Sequence, residues 1–475
     1  MSLVLVCALG GCALPFGTSR APDSAVAVPD AWTAGDTLPG AEERDLARYW
    51  TLLGDPLLAE LVEQAIAQNR DIAIGIARVD QARAGLRLAR AGYLPTLSAR
   101  AGASRDFGDL ADDDIRFSAG ADAAWEIDLF GRIAKGAAAS RADLAAAGFS
   151  LGDVQRLIVG QVASQVVTAR ALSQQLAIAR STLEYQDDNL QLARWRNQAG
   201  LVSSLDVEQA RTQRAQTAAS IPLLESNLAA TANAISTLIG EPPGRVLAAL
   251  AATDPPPVPS PPPLAQFAAP VAVLERRPDV RAAQADLLAS SARIGVARAE
   301  LLPALRLSGT IGGLGTSLGD LFDFVTGNLF AGISQLIFDG GRTAARIDSA
   351  EAAARASLAS YEQAILRALE EVETSATDQR TAGERVTISE EALDAAQNSA
   401  VLARQQYEAG LTDFQTLLVI ENQLLSARNQ LVGAEADRAR AFIRLTQALG
   451  GGWNAADYAL PQTGSAAGPD DRNVE

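Results

Sequence analysis

The chain states one pattern twice. In its sequence 208 residues separate Asp71 from Asp279 and Pro95 from Pro303, while 210 separate Gly131-Arg132 from Gly341-Arg342, Ala199-Gly200-Leu201 from Ala409-Gly410-Leu411, and Gly240 from Gly450. A spacing that changes by so little across so long a unit means two copies of one supersecondary element, so any fold must be assembled from two similar halves. The copies span residues 55–253 and 268–450. Between them "DPPPVPSPPPLAQF", residues 254–267, carries prolines that cannot continue a helix and favour an extended, stiff connector. Residues 451–475 have little periodicity and read as a disordered tail.

Within each copy the hydrophobic period changes at a proline. In "ARAGYLPTLSAR", residues 89–100, apolar and charged residues recur every three or four positions before Pro95 and alternate after it. "ARAELLPALRLSG", residues 297–309, does the same at Pro303. Pro95 and Pro303 are therefore read as handovers from helix to strand, each lacking the N–H that would extend a helix. The first copy predicts a helix from about Asp55 to Tyr93, a β-hairpin over about 96–127, a long helix from Arg132 to about Gln198 and a last helix from about Leu205 to Ile239. The second copy repeats the order, with a hairpin over about 304–338 and a long helix from Arg342 to Glu408. Leu172, Leu176, Ala179, Leu183, Gln186 and Leu190, like Leu358, Tyr361, Ile365, Ala368 and Val372, keep the steps of coiled-coil seams with small knobs. Such a helix is about 100 Å long, roughly three times the hydrocarbon thickness of a bilayer, which no compact globular domain requires.

The hairpins alternate cleanly. Leu97, Ala99, Ala101 and Ala103 share one face with Phe117, Ala119, Ala121, Ala123 and Trp125, and Leu305, Leu307, Gly309 and Ile311 oppose Arg306, Ser308 and Thr310. Strands of this length with one apolar face match the staves of a transmembrane β-barrel, and Tyr93, Phe107, Trp125, Phe330 and Phe338 are expected at its interfacial girdles. Half-buried hairpins of a soluble α+β protein show the same alternation, but a soluble core face calls for larger side chains than runs of alanine. Four strands cannot close a barrel, and open edges in lipid leave backbone groups unpaired. Closure needs other subunits: two copies of the chain enclose too little for a channel, whereas three supply 12 strands.

Composition narrows the chemistry. There is no histidine, and the two cysteines are Cys7 and Cys12. Most metal sites, every nucleophile activated by histidine and internal disulfides are thereby excluded, so neither catalytic nor metal-binding residues nor a cofactor are expected. The net charge of -16 argues against a nucleic-acid partner, and its sign points to a lumen that favours cations. No run of about 18 apolar residues marks a membrane-spanning helix. "MSLVLVCALGGCALPF" resembles a bacterial lipoprotein signal over residues 1–11, with Cys12 as the acylated, palmitate-bearing residue and 12–54 as an extension from the anchor.

The repeat, "LERRPDVRAAQADLLASSARIGVARAELLPALRLSG" (274–309), "WEIDLFGR" (125–132) and the paired turns "AGLVSSLD" and "AGLTDFQT" resemble the TolC-type outer-membrane efflux family, in its NodT/OprM-like lipoprotein branch. The resemblance covers about residues 45–450 and implies a mainly α fold with transmembrane β-strands. In it, coiled-coil helices form an α-barrel, and four strands per protomer join a 12-stranded β-barrel in a homotrimer. It also implies a place in the outer membrane of a Gram-negative bacterium, lipid-anchored and extending into the periplasm. The partners it implies are a periplasmic adaptor and an inner-membrane pump of the resistance-nodulation-division type. The turns holding Gly200, Leu201, Gly410 and Leu411 then contact the adaptor, and acids just beyond them, Asp206 and Asp413, are candidates for a pore gate. Arg276, Arg277 and Asp279 are expected to fix a helix start rather than to touch cargo.

The leading function is a passive conduit of a tripartite efflux pump. The exit duct of a type I protein-secretion system is the alternative in the same architecture, and a soluble coiled-coil scaffold is the alternative outside it. An enzyme would have to work with a carboxylate pair, and no pair stands out.

Overall fold

The computed structural model describes residues 24–33, 36–37, 46–105, 107, 114–251, 255–262 and 266–454. Cys7, Cys12, the signal segment and residues 455–475 lie outside them. In chain order the elements are β1 (Asp36–Thr37), a 3-10 segment (Leu46–Leu53), α1 (Pro56–Gln68), α2 (Arg70–Ala91), β2 (Thr96–Ser104), β3 (Arg116–Ile127), α3 (Arg132–Gln198), α4 (Ser204–Leu238) and α5 (Arg245–Leu250). After them come β4 (Gln266–Phe267), α6 (Pro270–Arg276), α7 (Pro278–Ala299), β5 (Ala304–Gly315), β6 (Val325–Ser334), α8 (Arg342–Glu408) and α9 (Phe414–Ala448). The duplication is carried to the residue: α3 and α8 have 67 residues each, α4 and α9 have 35, and α2 and α7 have 22. Two compact units are formed, and each draws on both copies. One contains Ala82–Leu144 and Ala283–Tyr361; the other contains Val26–Gln81, Ala145–Ala282 and the chain from Glu362 onwards.

The expected first helix of the first copy is broken, and in the second copy a helix starts at Pro278 with Asp279 in its first turn, as expected. Asn69 leaves the helical region (φ -61°, ψ 136°) between α1 and α2, and Arg277 does so between α6 and α7 (φ -68°, ψ 125°). Asn69 Oδ1 accepts from the amides of Asp71 and Ile72 and so caps α2. Its Nδ2 donates to the carbonyl of Leu238 at 2.7 Å, and Arg277 Nη1 donates to the carbonyl of Ala448 at 3.0 Å. Leu238 and Ala448 end α4 and α9, so the break places a donor against carbonyls that have no partner within their own helix. Both α4 and α9 close alike. Gly240 (φ 74°) and Gly450 (φ 84°) adopt the left-handed conformation, and the amides of Glu241 and Gly451 bond the carbonyls of Ser236 and Thr446. A Cβ on Gly240 would lie 2.7 Å from the carbonyl oxygen of Gln68, so the site excludes any side chain on two counts.

The larger unit holds the main core. Tyr49, Leu58, Leu61, Val62 and Ala65 pack on Val159, Val162, Ala163 and Val166 of α3 and on Ile235, Phe442 and Ile443 of α4 and α9. Alanine and valine dominate the helix contacts, which lets backbones approach closely. Residues 255–262 form neither helix nor strand, as prolines require, but they are no free spacer. Pro255, Val258, Pro259 and Pro261 are buried. The side chain of Gln174 donates to the carbonyls of Pro255 and Pro256, and Arg438 donates to that of Pro261.

At the start of α1, Asp55 accepts from the amides of Leu57 and Leu58 and from Arg170 Nε at 2.8 Å; both ion-pair partners are over nine-tenths buried. Burial by itself raises the Asp55 carboxyl, but Arg170 and the two amides outweigh it, and the group titrates below its usual range. Asp279 is lowered in the same way, burial being outweighed by Arg277. A depressed carboxylate contributes stability above its unfolded pKa of about 3.9 and loses it as pH falls through the folded value. The melting temperature is therefore expected to be level from about pH 5 to 7 and to drop below about pH 4. Asp55→Asn should lower it at neutral pH and flatten the acid limb, as read by circular dichroism against temperature.

Candidate functional site

The smaller unit carries a four-stranded sheet of order β2-β3-β5-β6, antiparallel throughout. The two hairpins, one from each copy, meet along β3 and β5. Residues paired across such strands share a face, so the register sorts the side chains without ambiguity. Leu97, Ala123, Gly309 and Leu329 lie in one row, and Ala99, Ala121, Ile311 and Gly327 in the next, all on the apolar face. Leu97, Ile311, Leu329 and Ile333 are each more than half exposed, a group of large apolar side chains of the kind that marks an interaction surface. The opposite face presents Ser98, Asp122, Thr310 and Asn328 in one row and Arg100, Gly120, Gly312 and Thr326 in the next. Here Arg100 pairs with Asp122 at 3.0 Å, and Glu126 pairs with Arg132 at 2.8 Å and with Arg306 at 3.8 Å.

The expected cation-favouring wall is not found on this polar face. Its described strand residues carry Arg100, Arg116 and Arg306 against Asp122 and Glu126, so the acid excess of the whole chain does not extend to it. The return strand is shorter than expected, ending at Ser334 rather than near Phe338. Phe330 is paired with Ser308 in mid-strand on the polar face, not at a strand end among the girdle aromatics. Trp125 stands near the end of β3, its indole N–H donating to the carbonyl of Tyr93 at 3.0 Å. Among the described strands β2 and β6 are the edges, each with one row of backbone groups unpaired.

The handovers differ in one detail from expectation. Pro95 and Pro303 stand just before β2 and β5, but the helices end earlier, at Ala91 and Ala299. Three successive bonds to the third residue back tighten each end: Gly92, Tyr93 and Leu94 in one copy and Glu300, Leu301 and Leu302 in the other. The prolines therefore guard the strand start rather than stop the helix.

In the other unit the turns after α3 and α8 are near replicas. Gly200 and Gly410 both have φ 73°, and the amides of Leu201 and Leu411 bond the carbonyls of Arg196 and Gln406 at 2.8 Å. Leu201 and Leu411 are 73% and 78% exposed, an unpartnered apolar tip on each turn. Asp206 forms a capping box with Ser203 (2.9 Å to its amide). Asp413 caps α9 through the amide of Thr416 at 2.6 Å, and that bond holds its carboxyl below the usual range. Both candidate gate acids thus serve helix starts. Tyr407 and Phe414, 5.4 Å between ring centroids, and Arg196, 4.5 Å over the Tyr407 ring, fasten the second turn. These three were not singled out in the sequence, and neither was Trp195, 60% exposed beside the first turn. Their only local signal is an aromatic residue flanking a glycine turn.

Comparison with known proteins agrees with this geometry. The family model for outer membrane efflux proteins matches residues 61–241 and 269–451, one match to each copy. The pyoverdine export outer membrane protein OpmQ of Pseudomonas aeruginosa is 32% identical, with 95% of this chain and 97% of that protein covered. The toluene efflux pump outer membrane protein TtgI of Pseudomonas putida is 30% identical, with 94% and 96% covered. The solved outer-membrane channel OprN superposes with a TM-score of 0.81 at 32% identity, covering 92% of this chain and 100% of that one. The soluble-scaffold reading is set aside by the same matches. Two sequence copies, a four-stranded sheet with one apolar face and replicate helical turns are thus joined by direct similarity: the chain belongs to the outer membrane efflux protein family and is an outer-membrane channel of an efflux system.

Proposed function

We propose that three copies of the chain close their sheets into one 12-stranded barrel and conduct small molecules passively, the energy coming from an inner-membrane pump of the resistance-nodulation-division type through a periplasmic adaptor. The observation that carries this reading is the sheet itself. It has one face for lipid, one for water, and two bare edges, and unpaired backbone groups in lipid cost several kcal/mol each. Joining β2 of one subunit to β6 of the next satisfies both edges at once. Gly200-Leu201 and Gly410-Leu411 are the adaptor contacts in this reading, apolar side chains held out on rigid turns. Asp206 and Asp413 then act on any gate by holding those turns in place. Cys12 is the lipid anchor.

The test separates assembly from docking. The mature protein in mild detergent is expected to be a trimer. Leu201→Asp combined with Leu411→Asp should leave that trimer intact and abolish both adaptor cross-linking and efflux in cells. A monomer in detergent, or full efflux by the double variant, would count against the proposal. Cys12→Ala should remove the acyl mass from the mature protein.

A further inference from the structure

Phe330 breaks the alternation of the sheet. It pairs with Ser308, and its same-face neighbours are Thr310, Asn328 and Arg306, so a large apolar ring stands among polar groups on the face opposite the apolar one. It is 59% exposed there. Folding does not explain it, since the apolar face lies on the other side of the strand. The ring is nonetheless seated. A Cβ built on Gly332, the next residue on that face, would lie 2.5 Å and 2.6 Å from Cε1 and Cζ of Phe330. The ring leans along the strand into the space that a side chain at position 332 would fill. No other aromatic residue lies on the polar face of the four described strands.

We propose that Phe330, seated over the bare backbone of Gly332, is a stacking platform for aromatic cargo crossing the barrel. The inference rests on the reading that the polar face lines the pore. A ring held against the wall offers a surface for offset or edge-on contact with a planar molecule, while the surrounding hydroxyls, amide and guanidinium give non-aromatic solutes nothing equivalent. Three subunits would set three such platforms around the lumen, each catching and releasing cargo rather than blocking it.

The experiment is single-channel recording of the full-length trimer in planar bilayers, with benzenesulfonate or methanesulfonate added on the extracellular side. The two probes share their charged group and differ in the ring. Benzenesulfonate is expected to interrupt the current of the native channel, and Phe330→Ser to shorten those interruptions by at least about threefold. Phe330→Tyr should retain them, and methanesulfonate should behave alike on all variants. Equal interruption by benzenesulfonate in native and Phe330→Ser channels overturns the proposal. So does a Phe330→Ser protein whose trimer dissociates in mild detergent, because the ring would then be a seal between subunits. A native protein that forms no pore at all would overturn the conduit reading itself.

Discussion

Replacing Arg277 with methionine is expected to destabilise the protein by about 3 kcal/mol, near the lower end of what breaking a buried ion pair costs. Arg277 is fully buried and has partners on three sides: Asp279 at 2.6 Å, Glu371 at 2.7 Å and the carbonyl of Ala448 at 3.0 Å. Burial pulls its guanidinium down, and the carboxylates of Asp279 and Glu371 more than restore it. Methionine keeps much of the volume but takes the guanidinium from Glu371 and the end of α9 and leaves Asp279 with the amide of Val280. The figure is held low because Glu371 is 41% exposed and water can solvate it. Asn69→Ala removes the neutral counterpart of the same contact in the first copy and should cost less, about 1–2 kcal/mol. Urea unfolding of both variants checks the order; equal losses would mean that the charge at Arg277 adds nothing.

The second large effect is expected from Leu358→Pro in α8, which should abolish the trimer rather than alter what it conducts. Proline in a helix interior costs about 3 kcal/mol or more. The native chain contains an apparent exception, Pro222 within α4. Pro222 is exposed, and the carbonyl it frees, that of Ala218, lies on a partly exposed residue where water can reach it. The carbonyl freed at position 358 belongs to Ala354, which is 5% exposed. Leu358 also opens the run that Ile365, Ala368 and Val372 continue as buried seam residues, so a kink there displaces the seam below it. The readout is the trimer fraction in mild detergent, and Leu358→Ala is the control that should remain assembled. A trimeric Leu358→Pro protein would show that assembly tolerates a break in α8 at this position.

Much of this was legible because glycine and proline act locally. Gly200, Gly410, Gly240 and Gly450 mark turns whose positive φ only glycine adopts readily, and the alternation through Leu97–Ala103 and Leu305–Ile311 can only be a strand with two unlike faces. The break at Asn69 was not legible, because the apolar period runs on through it, whereas Pro278 marks the one at Arg277. At both breaks the chain leaves the helix to reach the ends of α4 and α9, about 170 residues further along. The same holds for Tyr407 and Arg196, which belong to different copies and meet only when folded.

The sequence by itself determined the duplication, the places where helix gives way to strand and the two faces of each strand, since these depend on covalent geometry and on side-chain spacing along a short segment. Tertiary structure decided the pairing of β3 with β5 and the commitment of Arg277 and Asp55 to partners on distant helices. Each of those choices balances desolvation against partners supplied from elsewhere in the fold, and no local window contains both sides of that balance.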